Sequence, residues 1–520
     1  MRRSLASAAS AFLVALPLGA ALVACSVDAS SAPPADADAG NVDAPCEEGA
    51  SRCDGDRIAT CAGGVFGAAA PCEGESVCRD GACRAPTDAQ LAQAAELASV
   101  LEYVREETAW HAPIDWDALR VDGRKRVLGG DGSDLAYFTA LFHAFVAVPQ
   151  GHQGLYLARG CGKLVPYPDR SQRGACGRPH ARGVVVTSVK ANNALGLKVG
   201  DLVTRVGDAS GGGVLEALAE RPMCATSRPS ASYRDATTAA TFSDLLLPGE
   251  EILVESPDGA TRAVKVPDAP LPGALGSALS CQDPFSRSTA VPVEATLRPD
   301  GVGVIRLPGF LDPQQPFPQN PTEESIAAYR AAFQAKILAA FDEVKAAPAI
   351  VWDVRGNGGG LTLIGLEIAS GFPGARAETI SYCRARVPKS DPPAFDSFRY
   401  AEYALTPGGP FAYAGKVAVL VDGLDYSAAD YFPLAARTRT DAILVGAPTA
   451  GGYGATSKMK LFDGPPAFNV SVDSNRCAAA DDDAPLEGRG VIPHVAVGYE
   501  PKDLAAGTDT VLERAVAELE

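Results

Sequence analysis

With 520 residues, 47% of them hydrophobic and 21% charged, the chain has apolar material for a sizeable core and length for more than one domain. A formal charge of −17 and a pI near 4.9 exclude the basic face that phosphate neutralisation needs, so no nucleic-acid partner is expected.

The first residues, "MRRSLASAASAFLVALPLGAALVAC", set Arg2 and Arg3 before a short apolar run that closes on Leu22-Val23-Ala24-Cys25. This is a targeting segment rather than a fold element. It resembles the lipobox of bacterial lipoproteins, which implies a signal peptide over 1–24 and lipidation of Cys25. The chain would then be exported and lipid-anchored to a membrane of a bacterial cell envelope, and Ser26 fits outer-membrane sorting. An ordinary signal peptide or a membrane helix is the alternative, disfavoured because the run is short and ends in small residues and Cys. Residues 25–45, rich in Ala, Ser, Pro and Asp, cannot bury a core and are expected to be a disordered tether.

Of thirteen cysteines, six fall between Cys46 and Cys83 and six more are Cys161, Cys176, Cys224, Cys281, Cys383 and Cys477. Even numbers in each block predict disulfides and an oxidising compartment, with connectivity open. Zinc is the rival for the first block, but that segment has no His and no Cys-x-x-Cys. Residues 46–84 therefore read as a Cys-rich module too small to fold without staples.

Over 87–152 the pattern is helical, with Leu91, Ala94, Leu97, Leu101 and Val104 on one stripe and "SDLAYFTALFHAFVAV" repeating it before Pro149. Residues 181–208 read as strand, loop, short helix, strand and turn, and "EILVESPDGATRAVKV" as a hairpin around Asp258-Gly259. A further helix is expected to start at "NPTEE", with Asn320 as cap and Pro321 in the first turn, followed by the stripe Ile326, Tyr329, Phe333, Ile337, Phe341 and Val344. Strands "AIVWDV", "KVAVLV" and "AILVG" then alternate with glycine turns and helices, which predicts an α/β domain with parallel pairings.

In that domain Ser427 stands where "KVAVLVDGLDY" gives way to a helix. Unpaired N–H groups and the positive dipole end favour an oxyanion there, although from position alone a helix-capping Ser is the simpler reading. The turn "RGNGGG" adds glycines Gly356, Gly358, Gly359 and Gly360, which let backbone amides approach a substrate.

The ordered segments "AIVWDVRGNGGG", "VAVLVDGLDYSAADYF", "AILVGAPTAGGYG" and "LEGRGVIPHVAV" resemble the S41 serine peptidases, the tail-specific or C-terminal processing proteases and their tricorn-core relatives. "IDWDAL", "GHQGLYL" and "GVVVTSVKANNALGLKVGDLVTRVGD" extend the likeness over most of residues 87 to 500. The resemblance implies a crotonase-like α/β core over 281–500, a PDZ-like domain over 155–268 with an insertion about 209–247, and a C-terminal helix over 501–520.

It also implies Ser427 as nucleophile, with backbone N–H groups of Gly359 and Ala428 as the oxyanion hole. The lysine of the commonest Ser–Lys pattern falls on Gly452, so that base is missing, and Lys458 and Lys460 read as an exposed pair on a strand. The tricorn-like branch uses a His, which here falls on His152, with Glu487 to orient it. The other histidines are His111, His143, His180 and His494; His143 sits on an apolar stripe, and His494 is the runner-up base. The resemblance implies no metal or cofactor. Expected partners are protein or peptide substrates engaged through their C-termini, and the contrasting expectation is an inactive protein of this fold binding an apolar ligand or peptide ends. The enzyme reading requires Ser427 and His152 to come within hydrogen-bond reach.

Overall fold

The computed structural model describes residues 46–520 apart from 55–56, 75, 111–112, 158–159, 168–169, 227, 268–278, 282–284, 286–290 and 465. Cys25, the leader, the tether and His111 lie outside the described residues.

Residues 46–84 form short antiparallel strands crosslinked by Cys46–Cys61, Cys53–Cys78 and Cys72–Cys83. The second block pairs Cys161–Cys224, Cys176–Cys281 and Cys383–Cys477, so each block pairs within itself. The three helices that follow, Asp88–Glu107, Trp116–Gly129 and Asp134–Val146, are N-capped by Thr87, Asp115 and Ser133. Their apolar stripes meet in a core that includes Leu97, Leu101, Val104, Phe138 and Phe142.

An antiparallel sheet then runs in the order Thr261–Lys265, Glu251–Glu255, Leu202–Val206, Gly183–Val189, Ala175–His180. The hairpin at Asp258-Gly259 is present. The short helix expected before Leu202 is replaced by turns, because the Asn193 side chain accepts from Leu197 N–H (2.8 Å) and donates to Leu197 O (3.0 Å). Between the sheet strands the chain inserts helices Gly213–Ala219, Ala231–Ala240 and Phe242–Leu245.

The last domain is built on a six-stranded sheet ordered Glu294–Leu297, Gly303–Arg306, Ala349–Asp353, Lys416–Val421, Ile443–Gly446, Val495–Ala496. Every pairing from Gly303 onward is parallel, as the alternation of strand, turn and helix predicted. Ala349–Asp353 is buried along its whole length, the mark of a strand covered on both faces. One face is covered by helices Glu323–Val344, Thr362–Ser370 and Ala428–Arg439, the other by Thr510–Leu519.

Helix Glu323–Val344 starts later than "NPTEE" suggested. Thr322, not Asn320, is its cap: Thr322 Oγ1 accepts from Ser325 N–H and Ser325 Oγ from Thr322 N–H, leaving Pro321 outside. The segment 501–520 holds two helices rather than one, because Gly507 at φ +74° closes Pro501–Ala506 and Asp509 caps Thr510–Leu519.

Arg355, in the glycine-rich turn, is the hinge pin of this arrangement. Its guanidinium is buried and donates to both oxygens of Asp353, both oxygens of Asp509 and to Tyr499 Oη, at 2.7–3.0 Å. It thereby ties the turn to the cap of the final helix. Removing one partner strands buried carboxylates, so Arg355→Met is expected to lower unfolding free energy by about 3–5 kcal/mol in urea titration. A loss below about 1 kcal/mol would show the network to be energetically idle.

Candidate active site

The strand Lys416–Val421 ends in the bend Asp422–Tyr426, and the chain enters helix Ala428–Arg439 at Ser427. Ser427 has φ +59° and ψ −115°, a conformation that costs a non-glycine residue energy and persists only where neighbours impose it. Those neighbours are identifiable. Asp430 Oδ2 accepts Ser427 N–H at 3.0 Å, Asp430 N–H donates to Ser427 O at 2.8 Å, and Tyr426 N–H donates to Asn357 O at 2.9 Å. Ala428 is the first helical residue, and its N–H has no hydrogen-bond partner among the described residues.

The glycine-rich turn lies directly against this bend. A Cβ on Gly359, at φ +97°, would come 2.5 Å from Tyr426 O and 2.8 Å from Ser427 Cβ, so only glycine fits. Gly359 N–H donates to Asn357 Oδ1 at 2.8 Å, and the fully buried Asn357 also donates from Nδ2 to Leu307 O. The amide named as an oxyanion donor is thus occupied by a side chain in this structure.

His152 reaches the bend through sheet pairing. Strand Gly154–Leu157 pairs antiparallel with Phe468–Val472, delivering the residues before it to the same corner. His152 is itself at φ +51°. Its N–H donates to Tyr426 Oη at 2.8 Å, its Nδ1 lies 2.9 Å from the same oxygen, and the two rings are 4.6 Å apart. Thr456 Oγ1 donates to His152 O at 2.9 Å. Burial pushes the imidazole down, to about 3, so it is neutral at neutral pH. No hydrogen bond joins Ser427 Oγ to the His152 ring among the described residues; the His152 ring is held by Tyr426, the residue that precedes Ser427 in the chain.

Glu487 is buried, and its carboxylate accepts from Gly151 N–H (2.5 Å), Tyr453 N–H (2.9 Å) and Gly454 N–H (3.2 Å). It fixes the backbone that carries His152, while the hydrogen-bonding partner of the imidazole is the Tyr426 phenol. Asp430, also buried, accepts from Thr449 Oγ1, Gly451 N–H, Gly452 N–H and Ser427 N–H. Burial pushes both carboxyls up to about 7 against the pull of these donors. Asp430, Asn357 and Tyr426 were not singled out from the sequence. The Ser-x-x-Asp spacing of 427–430 is a capping-type signal for the first.

Gly452 explains why a lysine is missing there. A Cβ at this position would lie 1.9 Å from Tyr426 Cε2 and 2.5 Å from Cζ, so the phenol ring occupies the space a side chain would need. Lys458 is ion-paired with Glu107, and Lys460 Nζ sits 4.7 Å from the Phe462 ring centre. His494 Nδ1 accepts from Leu444 N–H at 2.9 Å, His180 Nδ1 from Arg182 N–H at 3.1 Å, and His143 packs at 5.5 Å on Phe142, its pKa lowered to about 4 by burial. These lysines and histidines have local structural partners of their own. Gly452→Ala is expected to cost about 1–3 kcal/mol by overpacking. Most of that cost should vanish in a double-mutant cycle with Tyr426→Gly, read by urea unfolding; additive losses would show that Tyr426 is not what fills the space.

Comparison with known proteins follows the same outline. Residues 301–497 match the model of Peptidase family S41. Among solved structures the chain is similar to mature CPAF complexed with lactacystin, with TM-score 0.57 and 15% identity over 83% of this chain and 98% of that chain. It is likewise similar to mature CPAF, with TM-score 0.56 and 15% identity over 83% of this chain and 96% of that one. At this identity the likeness is one of fold. Comparison with curated protein sequences gives no match.

Proposed function

We propose, from the premise that the chain belongs to peptidase family S41 and is a serine-type peptidase, that it is a membrane-tethered endopeptidase acting through an acyl-enzyme on Ser427. His152 is the general base, Glu487 positions its loop, and the substrates are unfolded proteins or proteins engaged by their C-termini. One observation carries this reading: a strained serine at a helix N-terminus sits next to Tyr426, whose hydroxyl holds the imidazole of a residue 274 positions away.

In the first step His152 Nε2 takes the Ser427 hydroxyl proton as Oγ bonds to the peptide carbonyl carbon, and the C=O pair moves onto oxygen. Ala428 N–H at the helix start stabilises that oxyanion; Gly359 N–H joins it by sharing or releasing its bond to Asn357 Oδ1. The imidazolium then protonates the leaving amine. Water, deprotonated by the same imidazole, hydrolyses the ester and restores Ser427. Substrate closure would bring Oγ and Nε2 into hydrogen-bond range, since catalytic contacts commonly tighten on binding.

The antiparallel sheet over Ala175–Lys265 supports substrate capture: its edge strand Ala175–His180 and the insertion helix Ala231–Ala240 lie together in the PDZ-like part, where a peptide C-terminus would add as a strand. The lipobox-like Cys25 supports anchoring to the bacterial outer membrane, and the tether over 26–45 would leave the fold free of the bilayer.

The test is cleavage of an unfolded protein by the mature chain and its variants. Ser427→Ala is expected to abolish turnover, His152→Ala to lower kcat by about 10²–10⁴-fold, and Lys458→Ala to leave it unchanged. Equal cleavage by wild type and Ser427→Ala would sink the proposal, and loss with Lys458→Ala but not His152→Ala would move the base.

A further inference from the structure

We infer that Tyr426 is a positioning residue that sets the tautomer of His152, doing with a neutral phenol what a carboxylate does in a Ser-His-Asp triad. The inference rests on the proposed Ser427–His152 chemistry.

A base acting through Nε2 must keep its one proton on Nδ1. Whatever accepts that Nδ1–H decides whether the imidazole is usable. In this structure the polar atom at Nδ1 is Tyr426 Oη, at 2.9 Å, while the carboxylate of Glu487 is spent on the N–H groups of Gly151, Tyr453 and Gly454. The same phenol oxygen accepts His152 N–H at 2.8 Å. Main-chain and side-chain nitrogens of one residue therefore converge on one oxygen, which fixes both the backbone at φ +51° and the ring.

Tyr426 is itself rigid. It is 1% exposed, packs 6.0 Å from the Tyr233 ring, and rests against the backbone of Gly452, where no side chain fits. With Nδ1–H as the donor, the phenol oxygen accepts two N–H bonds, its own hydrogen points elsewhere, and the Nε2 lone pair is left for Ser427. As the imidazolium forms, its Nδ1–H remains on a neutral acceptor, a weaker stabiliser than a carboxylate. The site trades cation stabilisation for a base that its desolvated surroundings keep unprotonated. The arrangement also makes a Ser–His pair and a Ser–Lys pair mutually exclusive at this corner, because the ring that orients His152 fills the volume next to Gly452.

Tyr426→Phe keeps the ring and removes only the oxygen. Relative to wild type it is expected to lower kcat about 10–100-fold with KM changed less than about 3-fold. The decisive readout is imidazole ¹⁵N NMR on the Ser427→Ala background, with His152 assigned by His152→Gln. The Tyr426-containing chain should show a protonated Nδ1 and a lone pair on Nε2, and adding Tyr426→Phe should mix or invert the two. A fixed Nε2–H form in the Tyr426-containing chain, or Tyr426→Phe turning over like wild type, overturns the inference. If His152→Ala retains full activity, the underlying base assignment fails instead, which separates the two outcomes.

Discussion

Three buried carboxylates hold the main chain of one turn. From Gly451 to Ala455 each successive N–H is taken: Gly451 and Gly452 by Asp430, Tyr453 and Gly454 by Glu487, Ala455 by Asp473. Each carboxylate also holds a second segment. Asp430 takes Ser427 N–H, Glu487 takes Gly151 N–H, and Asp473 accepts from Gln150 Nε2 at 3.3 Å. The turn is thus the junction where the Ser427 bend, the His152 loop and the strand Phe468–Val472 meet. Its glycines are there because side chains would collide; a Cβ on Gly454 would lie 1.4 Å from Asp473 Oδ2.

Burying acidic groups this closely has a pH signature. Asp430 and Glu487 are pushed up to about 7, and Asp473 is raised by burial and by Glu487. Folded-state values above the unfolded ones mean that these groups contribute stability at low pH that is lost as pH rises, for Asp430 and Glu487 through about 7. His152, held far below its ordinary value by burial, acts in the opposite sense: its contribution is present above about pH 6.5 and lost as pH falls. The corner therefore keeps His152 neutral while leaving Asp430 and Glu487 partly protonated, so few charges are buried unpaired.

Much of this was legible in the sequence, for physical reasons that differ by element. The parallel strands were readable because burial on both faces demands continuous apolar runs such as 349–353 and 417–421. Even cysteine counts in each block anticipated pairing within blocks, although not the partners. What escaped were contacts between side chains distant in sequence. The exchange of Asn320 for Thr322 as cap is a local competition that propensity leaves open. The parts played by Tyr426, Asn357 and Asp430 depend on which backbone amides the fold brings to them, and no spacing encodes that. The absence of a lysine at Gly452 was visible; its cause, the Tyr426 ring, was not.

Ser427 as a nucleophile served by a neutral, half-buried His152 is directly testable. The most direct measurement is the rate at which a fluorophosphonate labels the intact chain, with the modified peptide located by mass spectrometry, between pH 5.5 and 8. A single adduct on Ser427, lost in His152→Ala, is expected, at a rate that stays nearly flat because His152 remains unprotonated across that range. No adduct on Ser427, an adduct indifferent to His152→Ala, or a rate falling by half near pH 6.5 would contradict it.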